Sequence, residues 1–494
     1  MKLTNVTAPL QTSEGQKGGM FSHWRWWLCC LLFVATTINY LDRQVLSLTW
    51  KDFIAPEFHW TDAHYGIITA VFSIFYALVS LFSGKFIDWV GTKRGYLIAI
   101  FVWSLGACLH AACGWATMYH LDIASREALR LLEHGSKFAL AVSSLSVWLF
   151  LACRMILAVG ESGNFPAAIK VVAEYFPKKD RALATAIFNA GASVGALIAP
   201  VSIPFLARAY GWEMAFIIIG ALGFLWMFFW QGMYEKPEKS RHVSAAELAY
   251  INQDEASRHG CNNEISVPTI PFLRCFCFRQ TWSFVAGKFF TDGIWWFLLF
   301  WAPAYFSDQY GYRSDSSMAA QLIFVLYLIV TLVSITVGGF LPKYFVERRG
   351  MEPYAGRMRA MLLFAFLPLA ALVAQPLGRL SPWWPAIIIG LAGAGHQSWS
   401  ANLYSTIGDM FPRSTVGTIT GIGTMAGGIA SFIVNWGAGQ LFDYSAAQGA
   451  DFSFLGFSGK EAGYMIVFCY CAVGYLIAWS IMKSLVPKYE KISL

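Results

Sequence analysis

Most of this chain consists of twelve apolar windows that are separated by polar gaps. A helix that spans a bilayer needs about 20 apolar residues, and every window approaches or exceeds that length. The windows are 24–46, 65–84, 96–113, 146–171, 183–206, 213–233, 282–306, 319–341, 360–378, 383–408, 416–441 and 463–485. The longest gap, 234–281, follows the sixth window. The pattern predicts an all-α integral membrane protein with twelve transmembrane helices in two halves, 1–233 and 282–494, joined by a central cytoplasmic loop.

The composition agrees with this prediction. Of the 494 residues, 57% are hydrophobic and 13% are charged, whereas soluble domains contain about 25% charged residues. This excludes a soluble enzyme, a disordered chain and a nucleic-acid-binding domain. The ten cysteines form no CxxC pair, so we expect no metal site and no disulfide framework. We also expect no cofactor, no catalytic residues and a monomer in the lipid bilayer.

The loops predict the orientation of the helices, because Lys and Arg concentrate in cytoplasmic loops. With the N-terminus placed in the cytoplasm, the inside segments hold 25 basic residues and the outside loops hold 8. This ratio predicts that both termini lie inside. One outside loop, 114–145, is long and contains a helix-forming segment, 124–135, that ends in Gly135. We expect it to lie on the outer membrane surface or over the mouth of the cavity.

The two halves resemble each other in sequence. Residues 84–95 read GKFIDWVGTKRG after the second window, and residues 339–350 read GFLPKYFVERRG after the eighth. Residues 175–178 (YFPK) and 410–413 (MFPR) form a similar pair after the fourth and tenth windows. Related halves of six helices are typical of transporters in which two bundles rock around a site at the bilayer midplane.

Six charged residues lie within the predicted helices, where a charge costs about 2.5–3.5 kcal/mol and is usually paired or functional. They are Asp42, Arg43, Arg154, Glu161, Lys288 and Asp292. Arg154 and Glu161 share a helix face about 10 Å apart along the axis, so each needs another partner. Lys288 and Asp292 are four residues apart and are expected to form a structural pair.

Arg43 is the expected anchor of an organic anion. It shares a helix face with Tyr40, and its planar, permanently charged guanidinium can hold a carboxylate with two hydrogen bonds. Arg154 is a second candidate. Glu161, with Asp42 as an alternative, is expected to bind and release the coupled proton. For each of these four residues, a structural ion pair is the alternative role.

Neutral polar and aromatic side chains in the same helices are expected to contact the hydroxyl groups or the ring of a bound organic anion, although packing between helices is the alternative role for each. These substrate-binding candidates are Tyr40, Tyr76, Asn189, Trp296, His396 and Gln397, with Trp295 as a further stacking candidate.

Several of these segments resemble a known family. The 84–95 segment is similar to the loop 2–3 signature of the major facilitator superfamily, which implies that Asp88, Lys93 and Arg94 latch cytoplasmic helix ends in one state. Residues 39–44 (NYLDRQ) and 154–166 (RMILAVGESGNFP) resemble its anion:cation symporter family. Residues 188–196 (FNAGASVGA) and 395–397 (GHQ) resemble the hexuronate branch, whereas Asp42 resembles the galactonate branch.

The resemblance implies a proton-coupled symporter in the inner (plasma) membrane of a bacterium. Its expected substrate is a monosaccharide acid, most closely a hexuronate such as galacturonate or glucuronate, taken up with a proton by alternating access. An aldonate such as galactonate, or a small dicarboxylate, is the alternative substrate. A membrane sensor that does not transport is the alternative from another class. The sugar acid and the number of protons stay open.

Overall fold

A computed structural model describes residues 23–133, 135–253, 271–411, 413–490 and 492. Each apolar window coincides largely with a long helix, except that the window 360–378 covers the end of α9 and two short helices that follow it, Leu367–Val373 and Ala374–Gly378. The helices are α1 Trp24–Thr49, α2 Asp62–Val90, α3 Thr92–His110, α4 Lys137–Glu161, α5 Lys178–Tyr210, α6 Trp212–Met233, α7 Arg279–Tyr310, α8 Ser317–Val333, α9 Pro353–Ala365, α10 Trp383–Met410, α11 Arg413–Gln448 and α12 Gly459–Leu485. The predicted central loop falls partly outside the described residues, which resume at 271.

Several helices are extended by shorter ones. Ala112–His120 follows α3 at a bend of 51°. Asn164–Tyr175 follows α4, and Phe340–Arg349 follows α8 after a wider turn of helix. The loop between α11 and α12 contains a two-stranded antiparallel hairpin, β1 Ser453–Phe454 and β2 Phe457–Ser458.

Eight helical spans in the described ranges are long and apolar enough to cross a membrane, or nine if the bent pair that begins at Thr92 is one span. The remaining long helices are α1, α7 and α10. These three contain most of the polar residues that the sequence analysis singles out. The polar side chains of the predicted site therefore explain why α1, α7 and α10 are less apolar than the other spans.

Glycines allow close packing of helices, as expected where helix association depends on shape rather than on the exclusion of water. A Cβ atom at Gly66 of α2 would lie 2.8 Å from the carbonyl oxygen of Asn435 in α11. A Cβ atom at Gly195 of α5 would lie 2.6 Å from the carbonyl oxygen of Thr37 in α1. The first contact joins the two halves, and the second holds α1 within its own half.

Charged side chains join the halves at the predicted outer face. Lys51 Nζ lies 3.0 Å from both Asp62 Oδ1 and Asp308 Oδ1. Lys460 Nζ lies 2.6 Å from Asp308 Oδ2 and also pairs with Asp62. We call these four residues the outer cluster. Asp443 of α11 adds two bonds, since its carboxylate accepts hydrogen bonds of 2.9 Å from the backbone N–H groups of Asp62 and Ala63.

The 114–145 insert rests on the N-terminal half. Its predicted helix is shorter than expected, since only Arg126–Arg130 is helical within it. Ser125 is the N-cap, and the C-terminal cap is Leu131 rather than the expected Gly135. Leu129 is buried, and Arg130 Nη2 lies 3.0 Å from Glu57 Oε2. Arg126 pairs with Glu213 at the start of α6. These contacts hold the insert to one half, so we expect it to move with that half.

Candidate functional site

Arg43 lies among three aromatic rings where the two halves meet. Its guanidinium carbon is 5.2 Å from the ring centroid of Tyr40, 4.7 Å from that of Tyr76 and 5.4 Å from that of Trp296. Tyr40 and Arg43 share a face because α1 is a continuous helix here. Trp296 belongs to α7 of the other half. Four predicted site residues from three helices therefore meet at one place.

Glu161 completes this group. Arg43 Nε donates to Glu161 Oε2 at 2.6 Å, and the side chains are 4% and 0% exposed. Arg43 Nη2 and Glu161 Oε1 are buried without a hydrogen-bond partner among the described residues. A buried donor without an acceptor costs about 1–3 kcal/mol. The guanidinium thus holds one carboxylate through one nitrogen and has a donor left for another anion.

Asp42 has no described hydrogen bond with this group, although it lies close enough to Glu161 and Arg154 for electrostatic interaction. Both of its carboxylate oxygens are buried without a hydrogen-bond partner in the part of the chain that the structure describes. Arg154 Nη1 is in the same situation, and its guanidinium carbon lies 5.2 Å from the ring centroid of Phe72. Burying a carboxylate without donors is costly unless it is neutralised. Binding a proton to Asp42 would lower this cost.

The predicted polar residues of α10 occupy a different environment. His396 Nδ1 lies 2.7 Å from the Tyr475 hydroxyl, and its ring stacks on Trp295 at 5.0 Å between centroids. His396 is therefore held between helices of the C-terminal half. Gln397 is half-buried and Asn189 is exposed, and no described contact joins either to Arg43. Their roles in substrate binding stay predictions.

Lys288 and Asp292 form the expected pair. Lys288 Nζ lies 2.5 Å from Asp292 Oδ2, and it donates to the hydroxyl of Tyr404 at 3.0 Å. The charged side chains are 6% and 10% exposed. The sequence analysis did not single out Tyr404, although it lies on the same helix, α10, as the candidates His396 and Gln397.

The predicted latch residues lie at the other end of the molecule from the outer cluster. Asp88 accepts a hydrogen bond of 2.7 Å from Lys170 Nζ, within the N-terminal half. The backbone carbonyl of Lys93 accepts a hydrogen bond from Trp230, and the Arg94 side chain is exposed. None of these described contacts crosses to the C-terminal half, so the latch stays a prediction for the other conformation.

The sequence analysis missed the contacts that cross between halves. The outer cluster is one example, and the hydrogen bond of 2.8 Å from Gln44 in α1 to Tyr327 in α8 is another. The residues of the outer cluster lie near loops or helix ends, where an isolated charge is common. Only their convergence in space gives them a joint role.

Similar proteins include several named as sugar-acid transporters. The chain is 26% identical to the hexuronate transporter of Escherichia coli strain K12, over 93% of this chain and 94% of that protein. It is 26% identical to the probable galactarate/D-glucarate transporter of the same strain, over 94% and 97%. It is also 26% identical to the galacturonate transporter of Dickeya chrysanthemi, over 69% and 88%.

Solved structures share the fold. A bacterial homologue of the human lysosomal transporter Spinster, in an inward-facing, occupied conformation, has a TM-score of 0.63 at 18% identity and covers 94% of this chain and 97% of its own. A D-xylose-proton symporter has a TM-score of 0.64 at 17% identity, over 93% and 98%. The sequence model of the Major Facilitator Superfamily matches residues 32–435. This multi-pass membrane transporter, which is not an enzyme, therefore belongs to the Major Facilitator Superfamily.

Proposed function

We propose that the chain is a proton-coupled symporter that imports a monosaccharide acid, specifically a hexuronate such as galacturonate or glucuronate. The observation that carries the proposal is the buried Arg43–Glu161 pair among Tyr40, Tyr76 and Trp296 at the junction of the halves. A sugar acid has a carboxylate for the guanidinium and a ring of C–H and O–H groups for the aromatic residues. The names of the relatives support a sugar acid as the substrate class.

The coupling follows from competition for Arg43. An incoming carboxylate bonds to the free Nη2 donor and displaces Glu161 from Nε. Glu161 then lies buried without its partner, and taking up a proton removes that charge. The loaded site gains one negative and one positive charge, so its net charge is unchanged when the two halves rock.

Asp42 is the second proton-binding candidate, since its buried carboxylate lacks a described donor. One proton carried with one monoanion moves no net charge, so only the pH gradient drives uptake, at about 1.4 kcal/mol per pH unit. A second proton would make uptake of a monoanion sensitive to the membrane potential, by about 2.3 kcal/mol per 100 mV.

Uptake by proteoliposomes tests the proposal. With labelled galacturonate and an inwardly directed proton gradient, we expect accumulation that a protonophore abolishes. Unlabelled glucuronate should compete more strongly than galactonate or an uncharged hexose. Competition by galactonate alone would favour the aldonate alternative. This alternative is included because the chain is 25% identical to the D-galactonate transporter of Escherichia coli O6:H1 over 86% of this chain. Accumulation without any proton gradient would contradict the coupling.

A further inference from the structure

A second buried ion pair lies in the C-terminal half and has the same kinds of groups as the first. Lys288 provides the cation and Asp292 the carboxylate, at 2.5 Å, and Tyr404 provides a hydroxyl 3.0 Å from the ammonium nitrogen. Arg43, Glu161 and Tyr40 are the corresponding groups of the first pair. Each half of the protein thus contains a buried cation that is held by a carboxylate within a predicted membrane span.

The second pair makes a poor structural link. Lys288 and Asp292 are both on α7, so their ion pair does not join two helices. Desolvation of two charges often exceeds the attraction between them, and neutral residues of similar size could pack there at lower cost. The described hydrogen-bond link from the pair to another helix is the one from Lys288 to the hydroxyl of Tyr404 in α10. A costly ion pair with so small a structural contribution is better explained by a ligand that exchanges with one of its members.

The surroundings leave Lys288 available to such a ligand. His396 of α10 lies near Lys288, and Tyr475 of α12 lies near Asp292. Neither His396 nor Tyr475 forms a described ion pair with Lys288 or Asp292. On the α11 side, Gly427 presents no side chain, and a Cβ atom there would lie 2.9 Å from Asp292 Cγ. Among the described neighbours, Asp292 is therefore the one carboxylate that neutralises Lys288.

The two pairs border the same junction between the halves. Lys288 lies eight residues before Trp296 on α7, which is about 12 Å along the helix axis, and Trp296 contacts Arg43. Tyr404 is 38% exposed and close enough to Tyr40 of α1 for electrostatic interaction. Lys288 donates to the hydroxyl of Tyr404, and Tyr40, which Tyr404 lies near, contacts Arg43, so aromatic residues of both halves lie between the two cations.

We propose that Lys288 and Asp292 form a second acid-binding site, which takes the distal carboxylate of a dicarboxylic sugar acid and couples it to a second proton. This proposal rests on the proposed function of Arg43 and Glu161. The distal carboxylate displaces Asp292 from Lys288, and Asp292 takes up a proton. A monoanion then moves with one proton and a dianion with two, so neither substrate transfers net charge.

Selectivity between two substrates tests the binding site. Galactarate and galacturonate share a carbon skeleton but differ by one carboxylate, so each is measured as an inhibitor of galacturonate uptake. In Lys288→Gln combined with Asp292→Asn, which removes both charges, the preference for galactarate relative to galacturonate should fall at least tenfold. The conservative Lys288→Arg variant should retain most of the preference.

The matched control is Lys343→Gln combined with Glu347→Gln. This pair has the same four-residue spacing, but its side chains are 67% and 63% exposed. The control should leave the preference unchanged. An equal loss of both substrates in the Lys288 variants, or a wild-type protein that does not recognise galactarate, would overturn the proposal.

The proposed second proton, on Asp292, is tested by measuring uptake under an imposed membrane potential. Wild-type galactarate uptake should not respond to an imposed potential, whereas uptake by Asp292→Asn should transfer net negative charge and increase when the interior is positive. Uptake by this variant that ignores the potential would overturn the second proton. If galacturonate itself is not carried, or is carried without Arg43, the proposed function fails instead, so the two failures are distinguishable.

Discussion

Arg43 and Glu161 are 118 residues apart in the chain, yet Nε of Arg43 lies 2.6 Å from Oε2 of Glu161. The expected anchor of the substrate and the expected carrier of the proton are therefore partners in one ion pair. Binding and protonation need no long pathway between them, because both change the same contact.

Arg43→Lys should lose most transport although it keeps the charge. A lysine ammonium cannot form the planar, two-bond contact that a guanidinium offers to a carboxylate. Stabilisation of the purified protein by galacturonate, measured by thermal unfolding, should disappear in Arg43→Ala. Arg357→Lys is the control, since Arg357 pairs with Asp409 at 3.2 Å near the predicted cytoplasmic end. Normal stabilisation of Arg43→Ala by galacturonate would indicate that another residue, with Arg154 the next candidate, holds the carboxylate.

Glu161→Gln should separate exchange from accumulation. The amide imitates the protonated carboxyl and no longer competes for Arg43, so substrate affinity should be unchanged or higher. Exchange of substrate across the membrane should persist, because it requires only the loaded carrier to rock. Accumulation driven by a pH gradient should be lost.

Asp42→Asn, measured in both assays, is the comparison for Glu161→Gln. If Glu161→Gln still accumulates substrate and Asp42→Asn does not, Asp42 is the main proton site. If a folded Glu161→Gln protein also loses exchange, Glu161 has a structural or binding role and the coupling assignment is wrong.

Opening of the outer face should depend on the outer cluster. Asp308 of the C-terminal half contacts Lys51 of the N-terminal half, so Asp308→Asn removes one of the two ion pairs of the outer cluster that cross between the halves and leaves the Lys460–Asp62 pair in place. We expect faster labelling of a cysteine introduced below the cluster by a membrane-impermeant reagent applied from outside. A change of about 1.4 kcal/mol in the balance of conformations would alter the labelled fraction about tenfold where the open state is rare.

The control for the outer cluster is Asp315→Asn. Asp315 pairs with Arg313 on the same face, but Arg313 is 58% exposed, and such pairs contribute little. The Asp315 variant should label like the wild type. Equal labelling of the Asp308 and wild-type proteins would show that the Lys51–Asp308 ion pair is not needed to keep the outer face closed.

Asp88→Asn should change the balance of conformations more than it changes affinity. The 73% exposed Asp88 carboxylate pairs with Lys170 in this conformation, so the pair itself should contribute little to stability. We expect altered accessibility of cysteines at the junction and a change in affinity of only a few fold. Lys170→Gln should have a smaller effect. A tenfold loss of affinity with unchanged accessibility would exclude the latch.

Helical periodicity explains which parts of the site could be predicted. Residues three apart on one helix share a face, so Tyr40 and Arg43 could be grouped from the sequence. The seven-residue spacing of Arg154 and Glu161 excluded a direct pair and required another partner for Glu161. Neither spacing could say which helix would supply that partner, because spacing within one helix carries no information about which other helix packs against it.

The helix at 124–135 shows a limit of propensity. Its residues favour a helix, but the structure ends that helix at Arg130. The contacts of Arg126 with Glu213 and of Arg130 with Glu57 hold a short turn against the N-terminal half. Tertiary contacts thus outweighed local preference, and they place the insert against the N-terminal half.

The sequence by itself determined the membrane class, the family resemblance, the positions of the helical windows and the intramembrane charges, because the hydrocarbon core imposes a length and a polarity on every span. Only the tertiary structure decided that Glu161 pairs with Arg43, that Trp296 joins them from the other half, and that Lys51, Asp62, Asp308 and Lys460 meet. Such contacts depend on the packing of helices far apart in the chain, and no local pattern of residues encodes that packing.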